Sequence, residues 1–533
     1  MGLFAALLVD IGASWARLFL ALFISIIFSL VVGIVAATDS RLERVILPAI
    51  DILQTIPILG FFPVVIYLIV AFAPGTIGVN LAVIFLIFTS MAWNITFGVY
   101  ESVKSIPTDL LEVARLSQFS KWKMYTRLYV PACMPRIAYQ SVISWSVGLF
   151  YLVTSEIFAT GTTKYSVTSG IGVAISSFAA SSNTSGYVAA LAMFIVAVIV
   201  TRILFLQPLS VFSDKYSFKE KPSEQRKSSV LSFYSSVAFQ AKKILGPLDR
   251  LFSRPRKELE KVGAYMISDN KVSRYMMSRA ERFRLSRNLG IAIILALLLV
   301  GILATIKIGF WQYMPEVLNA LMFSFLRVWL IFLFCTAVAV PLGIYIGLKT
   351  RAFEPIMSFL QVISAIPSTI LLPALVVVFY TLPFGGEVTA FFVIFLAMFW
   401  YILFSVIGGI RGMPGYVAEL RPVLKLNRRE AWTKLYLPSI LPSYITGAIT
   451  AIGGAWNALI VAEYFTVQSH GNSVPLTQVG TGIGKLLDVA VANGQLELML
   501  AALVTMVAMV VLINRFVWQN LYNKVTSKYR FSA

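Results

Sequence analysis

Glu156 and Glu463 lie inside apolar stretches of this chain. A charged carboxylate near the middle of a membrane helix costs about 2.5–3.5 kcal/mol, so each must face protein or water. They stand 307 residues apart, and at a separation of 310 Arg17 matches Arg327, each near the start of another apolar stretch. Such groups can pair charges or line a polar route. Two readings of the glutamates stand: they flank a central pathway or gate, or their hydrogen bonds only fix helix packing. The arginines are either interface anchors or partners of those glutamates.

A second set of residues repeats as whole segments, EVARLSQFSKWKMYTRLYVPACMP from Glu112 and ELRPVLKLNRREAWTKLYLPSILP from Glu419. Each has an acidic residue, eighteen positions rich in basic and aromatic side chains, then Pro-x-x-x-Pro leading into an apolar stretch. Trp122, Tyr125, Trp432 and Tyr436 are suited to anchor a partner's pocket, with Arg127, Arg428 and Lys434 as the polar rim. The alternative is interfacial anchoring at lipid headgroups; two loops in register favour docking. Pro107 and Pro414 are predicted to start short helices, and Pro131 and Pro438 to end them.

Other chemistry has little support. Cys133 and Cys335 fall in different halves and offer no disulfide framework or metal spacing, and His470 is the only histidine. No catalytic or metal-binding set is predicted. Gly480-Thr-Gly-Ile-Gly-Lys485-Leu486 has the wrong glycine spacing for a phosphate loop and no Ser or Thr after the lysine. ATP chemistry, if coupled to this chain, is therefore expected on other polypeptides.

The elements that position these residues must be membrane helices. Of 533 residues 58% are hydrophobic and 13% charged, too little polar surface to coat a soluble globule of this size. The apolar runs are roughly 20 residues long, so the fold class is all-α rather than a barrel. Spans are predicted near 17–37, 50–72, 79–99, 137–158 and 187–206, then near 288–308, 318–348, 356–380, 388–410, 443–465 and 496–515, eleven in all. Asp10 and the lack of a basic leading region argue against a cleavable signal peptide.

Basic residues are retained on the cytoplasmic side. With the amino terminus outside, the loop at Arg41 and Arg44, both repeat loops and the tail with Lys524, Lys528 and Arg530 all face in. Residues 207–287 form a basic cytoplasmic linker with eighteen Lys/Arg against eight Asp/Glu, about half of the chain's net charge of +20. Its charge reads as a topology signal and lipid-headgroup contact, with a partner subunit as the alternative and no role for nucleic acid. The predicted units are 1–206 with a docking loop at 101–136, and 288–533 with a docking loop at 411–442.

The duplication extends beyond the loops. Gly33, Arg41, Pro57 and Pro63 match Gly343, Arg351, Pro367 and Pro373 at an offset of 310, and Trp93, Pro107 and Pro131 match Trp400, Pro414 and Pro438 at 307. Six predicted spans separate the loops, so both lie on one face and the halves are parallel copies; inverted repeats would need an odd number. Pro57 and Pro367 would open backbone groups where their spans line a cavity, or merely kink them.

Taken together these features resemble the permease subunits of binding-protein-dependent ABC importers. Their signature loop, the EAA motif, is matched in register by Glu112, Ala114, Trp122, Leu128 and Pro131, and by Glu419, Leu435, Leu437 and Pro438. Gln118 and Lys425 stand at the motif's glycine position, which would alter the turn there, and Arg421 with Pro422 interrupts the second EAA. Ile-Pro-x5-Pro at Pro57 to Pro63 and at Pro367 to Pro373, Ser-Glu-Ile-Phe at 155–158, Ala-Glu-Tyr-Phe at 462–465 and the Gly-Ile-Gly triplets at 170–172 and 482–484 are similar to the nitrate, sulfonate and taurine branch.

The resemblance implies two permease units fused in one chain of the plasma membrane, with no enzyme activity or cofactor of its own. ATP and magnesium would sit on two partner ABC ATPase subunits under the loops, and an extracellular or periplasmic solute-binding protein would deliver a small anionic solute. A secondary transporter or channel without ATP coupling is the alternative.

Overall fold

The computed structural model describes residues 2–209 except 56, 161–166, 182 and 207, and residues 310–525 except 349–352, 365, 380–381, 414–420, 422, 465–478, 519 and 523. The linker from 210 onward, the span predicted near 288–308, Glu419, Pro414, Pro422 and His470 lie outside the described residues. All regular structure among the described residues is helical.

The first half comprises α1 (Leu3–Thr38), α2 (Ser40–Thr55), a 3-10 turn (Ile58–Phe61) leading into α3 (Phe62–Phe72), α4 (Thr76–Lys104), α5 (Thr108–Leu116), α6 (Lys121–Met124), α7 (Val130–Thr160), α8 (Ile171–Ala180) and α9 (Thr184–Thr201). The second comprises α10 (Phe310–Leu348), α11 (Phe353–Ser364), α12 (Ser368–Phe379), α13 (Gly385–Arg411), α14 (Arg428–Glu430), α15 (Leu437–Tyr464), α16 (Ile483–Ala492) and α17 (Leu496–Ile513). The order repeats, as the offsets require.

Among the described residues eight helices are long and apolar enough to cross a membrane. The spans predicted near 50–72 and 356–380 are instead broken, into α2 with α3 and α11 with α12, at Pro57 and Pro367. Eleven unbroken spans are therefore not what the described residues form. Helix α1 starts at Leu3 rather than near 17, because the polar groups that interrupt its hydropathy, Asp10 and Arg17, have partners inside the protein.

Packing explains the repeated glycines. A Cβ on Gly33 would lie 2.8 Å from Val99 Cγ1, and one on Gly343 2.7 Å from Val406 Cγ1. The lack of a side chain lets α1 approach α4, and α10 approach α13, closely, and between α1 and α4 side-chain hydroxyls bridge to the neighbouring backbone. Ser29 Oγ donates to Ala92 O at 3.1 Å, and Thr96 Oγ1 donates to Ser29 Oγ at 2.9 Å.

Pro131 and Pro438 do not end their helices. Continuous helical stretches run through them, Trp122–Ile157 and Arg428–Glu463. Each proline follows a π-helical turn, Tyr125–Tyr129 and Ala431–Tyr436, in which Val130 N–H reaches Tyr125 O and Leu437 N–H reaches Trp432 O. The wider turn accommodates both the missing N–H and the ring's clash with the carbonyl four residues back.

Candidate functional site

The beginning of α8 draws three side chains to three successive backbone N–H groups, which helix geometry leaves without intrahelical acceptors. Gly170 N–H donates to Asp10 Oδ1 at 3.0 Å, Ile171 N–H to Ser14 Oγ at 2.9 Å and Gly172 N–H to Glu156 Oε2 at 2.9 Å. Glu156, fully buried, also accepts from Ser14 Oγ and from Arg17 Nη1, both at 2.7 Å. Arg17 completes its fork on Asn80 Oδ1 and Ser169 O, both at 2.7 Å. The carboxylate is thus held by a cation, a hydroxyl and the positive end of a helix.

The second half builds the same cluster. Ile483 N–H donates to Ser324 Oγ at 2.8 Å and Gly484 N–H to Glu463 Oε2 at 2.8 Å, while Arg327 Nη1 pairs with Glu463 Oε1 at 2.7 Å. The two Gly-Ile-Gly triplets follow from this geometry, since a Cβ on Gly172 or on Gly484 would lie 2.8 Å from the Cβ of the glutamate it faces. Two partners differ, and Asp10 has Ala320 at its place in the second half. Where Arg17 meets the neutral Asn80, Arg327 meets Glu387 through Nε at 2.6 Å and Nη2 at 2.5 Å. Ser14 and Ser324 repeat at 310 and could have been singled out from sequence.

Between the halves lies a cavity of about 880 Å³. Its lining includes Trp93, Asn94, Phe150 and Tyr151 from the first half and Pro367, Ser368, Trp400, Thr450, Gly453 and Asn457 from the second. It extends from the helix breaks at Ile58 and Ser368 to Trp518 and Tyr522 beyond α17. No Asp, Glu, Lys or Arg is among its lining residues within the described chain. Arg17, Glu156, Arg327 and Glu463 are not in its wall, and Pro57 is buried beside the lining residue Ile58.

At the breaks the halves bond to each other. Leu59 N–H donates to Asn457 Oδ1 at 3.3 Å, Thr154 Oγ1 to Thr369 Oγ1 at 3.1 Å and Tyr187 OH to Ile370 O at 2.9 Å. Repeat offsets do not point to these residues: the counterpart of Asn457 is Phe150, and that of Thr369 is Leu59.

The polar loops fold as short helices in front of α7 and α15. On the first, Glu112, Trp122 and Arg127 are exposed, Ala114 is fully buried, Pro131 is half-buried, and Tyr125 packs edge-on against Tyr129 at 5.7 Å. On the second, Arg428 and Lys434 are exposed, Trp432 and Pro438 are half-buried, and Tyr436 is buried with its hydroxyl 3.3 Å from Arg421 Nη1. Asn427 and Glu430 form a reciprocal capping box there, Glu430 N–H to Asn427 Oδ1 at 2.8 Å and Asn427 N–H to Glu430 Oε2 at 3.2 Å. Ser120 at the matching place offers only a 3.4 Å contact to Lys123 N–H.

Gln118 and Lys425 both adopt a left-handed backbone, with φ of 50° and 46°. An L side chain there costs about 1–2 kcal/mol. Gln118→Gly and Lys425→Gly are each expected to raise stability by about 1 kcal/mol, read as a higher melting temperature of the purified protein; an unchanged or lower value would count against strain at these turns.

Comparison with known proteins agrees with this geometry. A family model described as the binding-protein-dependent transport system inner membrane component matches residues 29–207 and again residues 339–522. A nitrate import permease protein of Leptolyngbya laminosa is 31% identical over 143 residues, 27% of this chain and 50% of that one. A bicarbonate transport system permease protein of Synechocystis sp. is 35% identical over 129 residues, 24% of this chain and 44% of that one. A Bacillus subtilis permease protein named for aliphatic sulfonates transport is 29% identical over 149 residues, 28% and 52% of the two chains. The chain spans about half the length of the curated relatives it matches.

Two crossing-helix sets built around the same buried cluster, facing one cavity, define a duplicated multi-pass membrane permease. The chain belongs to the family of binding-protein-dependent transport system inner membrane components, whose unit it carries twice.

Proposed function

We propose that this protein is the translocation subunit of an ATP-driven importer, taking a small anionic solute from an external binding protein across the cytoplasmic membrane. The amino terminus is outside and the carboxyl terminus inside. Two ATPase subunits dock beneath the paired loops, one at Glu112–Pro131 and one at Glu419–Pro438, and their closure moves the halves relative to each other. Neither ATP nor magnesium binds this chain. The clusters at Glu156 and Glu463 hold each half as one body, so that motion is concentrated at the cavity and its seal.

The observation that supports this reading most is the cavity shared by both halves and bridged at the helix breaks by neutral hydrogen bonds. Neutral hydroxyl and amide contacts are individually worth about 0.5–1.5 kcal/mol, small enough to be exchanged during a transport cycle. An ion-coupled carrier is less well supported, because the intramembrane carboxylates Glu156 and Glu463 are committed to arginines rather than to the cavity. The test is co-purification with an ATPase, followed by solute uptake into vesicles. Uptake should require ATP and vanish when both loops are scrambled; uptake that persists in the scrambled protein sinks the proposal.

A further inference from the structure

We propose that Glu43 with Lys104 in the first half, and Phe353 with Arg411 in the second, are matched ties that carry movement of each docking loop to the helix break at the cavity. The proposal rests on the importer reading above and adds the positioning residues through which the loops act.

Lys104 Nζ donates to Glu43 Oε2 at 2.8 Å, and Tyr100 OH donates to Glu43 Oε1 at 2.5 Å. At offsets of 310 and 307 the counterparts of Glu43 and Lys104 are Phe353 and Arg411. There the ion pair is replaced by a guanidinium 4.1 Å from the centre of the Phe353 ring, a cation held by an aromatic face. Both residue types change between the halves, yet the same two places stay joined. An exposed ion pair contributes little to stability, so a contact kept in a different chemistry points to position rather than to strength.

The joined places lead in opposite directions. Lys104 and Arg411 are the last residues of α4 and α13, and the chain runs from them straight into the docking loops. Glu43 and Phe353 stand in the first turn of α2 and α11, the helices that run up to the breaks at Pro57 and Pro367. At the far ends of these helices Gln54 and Ser364, equivalent at 310, both line the cavity. Eleven residues of helix span about 16 Å. Burial holds α2 and α11 only weakly: Ile50 is the one buried side chain among the described residues of α2, and α11 has none among its own. Helix α11 is held also by Arg202, which donates to Gln361 O at 3.1 Å and to Gln361 Oε1 at 2.6 Å. A loop displaced by its ATPase therefore draws the start of α2 or α11 with it, and the helix delivers the displacement to the cavity.

The experiment uses the full chain with its co-purified ATPase in lipid nanodiscs. Gln54→Cys or Ser364→Cys supplies a reactive thiol in the cavity wall, the native Cys133 and Cys335 being buried. Its rate of labelling by a charged methanethiosulfonate is compared without nucleotide and after trapping with ATP and vanadate. With the ties intact, trapping should change both rates. Glu43→Ala should abolish the change at Gln54→Cys and leave that at Ser364→Cys; Arg411→Ala should act the other way round, less completely because Arg202 still holds α11. Glu43→Phe combined with Lys104→Arg writes the second half's contact into the first and should keep the change at Gln54→Cys. Lys104→Ala repeats the test should Glu43→Ala fail to fold. Changes that persist at both thiols without the tie, that vanish at both together, or that the double variant does not keep, overturn the proposal. So does trapping that alters neither rate in the otherwise native chain. In each of these cases a bound ATPase leaves the importer reading standing; if no ATPase assembles on the native chain, both fall together.

Discussion

Glu156→Ala is expected to destabilise the protein by about 3–5 kcal/mol, the range for removing one partner of a buried ion pair. The loss has three parts. Ser14 Oγ loses its acceptor, Arg17 loses its carboxylate, and the start of α8 loses, at Gly172 N–H, one of the three side chains that cap it. Arg17 retains only neutral oxygens from the contacts described above, Asn80 Oδ1 and Ser169 O. Glu463→Ala should cost less, because Arg327 keeps both bonds to Glu387. Glu156→Gln should fall between wild type and Glu156→Ala, since it retains an acceptor for Gly172 N–H. Thermal unfolding in a single detergent orders these variants, and equal losses from Glu156→Ala and Glu463→Ala would refute the account of unequal partners.

Trp122→Ala is expected to weaken association with an ATPase subunit by about 2 kcal/mol or more, roughly thirtyfold, with little change in melting temperature. Trp122 is 76% exposed on a polar loop, so its ring contributes little to the fold and much to any pocket that receives it. Trp432 is the opposite case. It is half-buried and packs against the core beside the buried Tyr436, so Trp432→Ala should lower the melting temperature before it affects association. Affinity of the detergent-purified chain for the ATPase, measured alongside thermal unfolding, separates the two. If Trp122→Ala binds the ATPase as wild type does, the first loop is a lipid-headgroup anchor and not a docking surface.

Much of this architecture was readable because duplication doubles every signal. Gly33 and Gly343, Arg17 and Arg327, and Glu156 and Glu463 stood out by recurring at fixed offsets, and each pair has one physical cause in both halves. Where sequence reasoning missed, hydropathy or proline rules were overridden by tertiary contacts. Asp10 and Arg17 hid the first fourteen residues of α1, whose polar groups are satisfied by α4, α7 and the chain leading into α8. Pro131 and Pro438 looked like terminators because a proline removes a ladder bond, but a π turn absorbs the defect. The residues at the seal carried no signal at all. Asn457, Thr154, Thr369 and Tyr187 act across the halves between positions that are not equivalent, so neither periodicity nor repetition marks them.

That inequivalence follows from the fusion of two units in one chain. In a pore made of two identical subunits, any replacement appears on both sides of the symmetry axis, and an asparagine at one wall would face an asparagine at the other. Here Asn457 stands opposite a half that has Phe150 at the corresponding place, so the two walls can be tuned one residue at a time. Carrying both units in one chain thus frees the cavity from two-fold symmetry: each wall mixes polar and aromatic side chains in its own pattern and can drift without dragging its twin along.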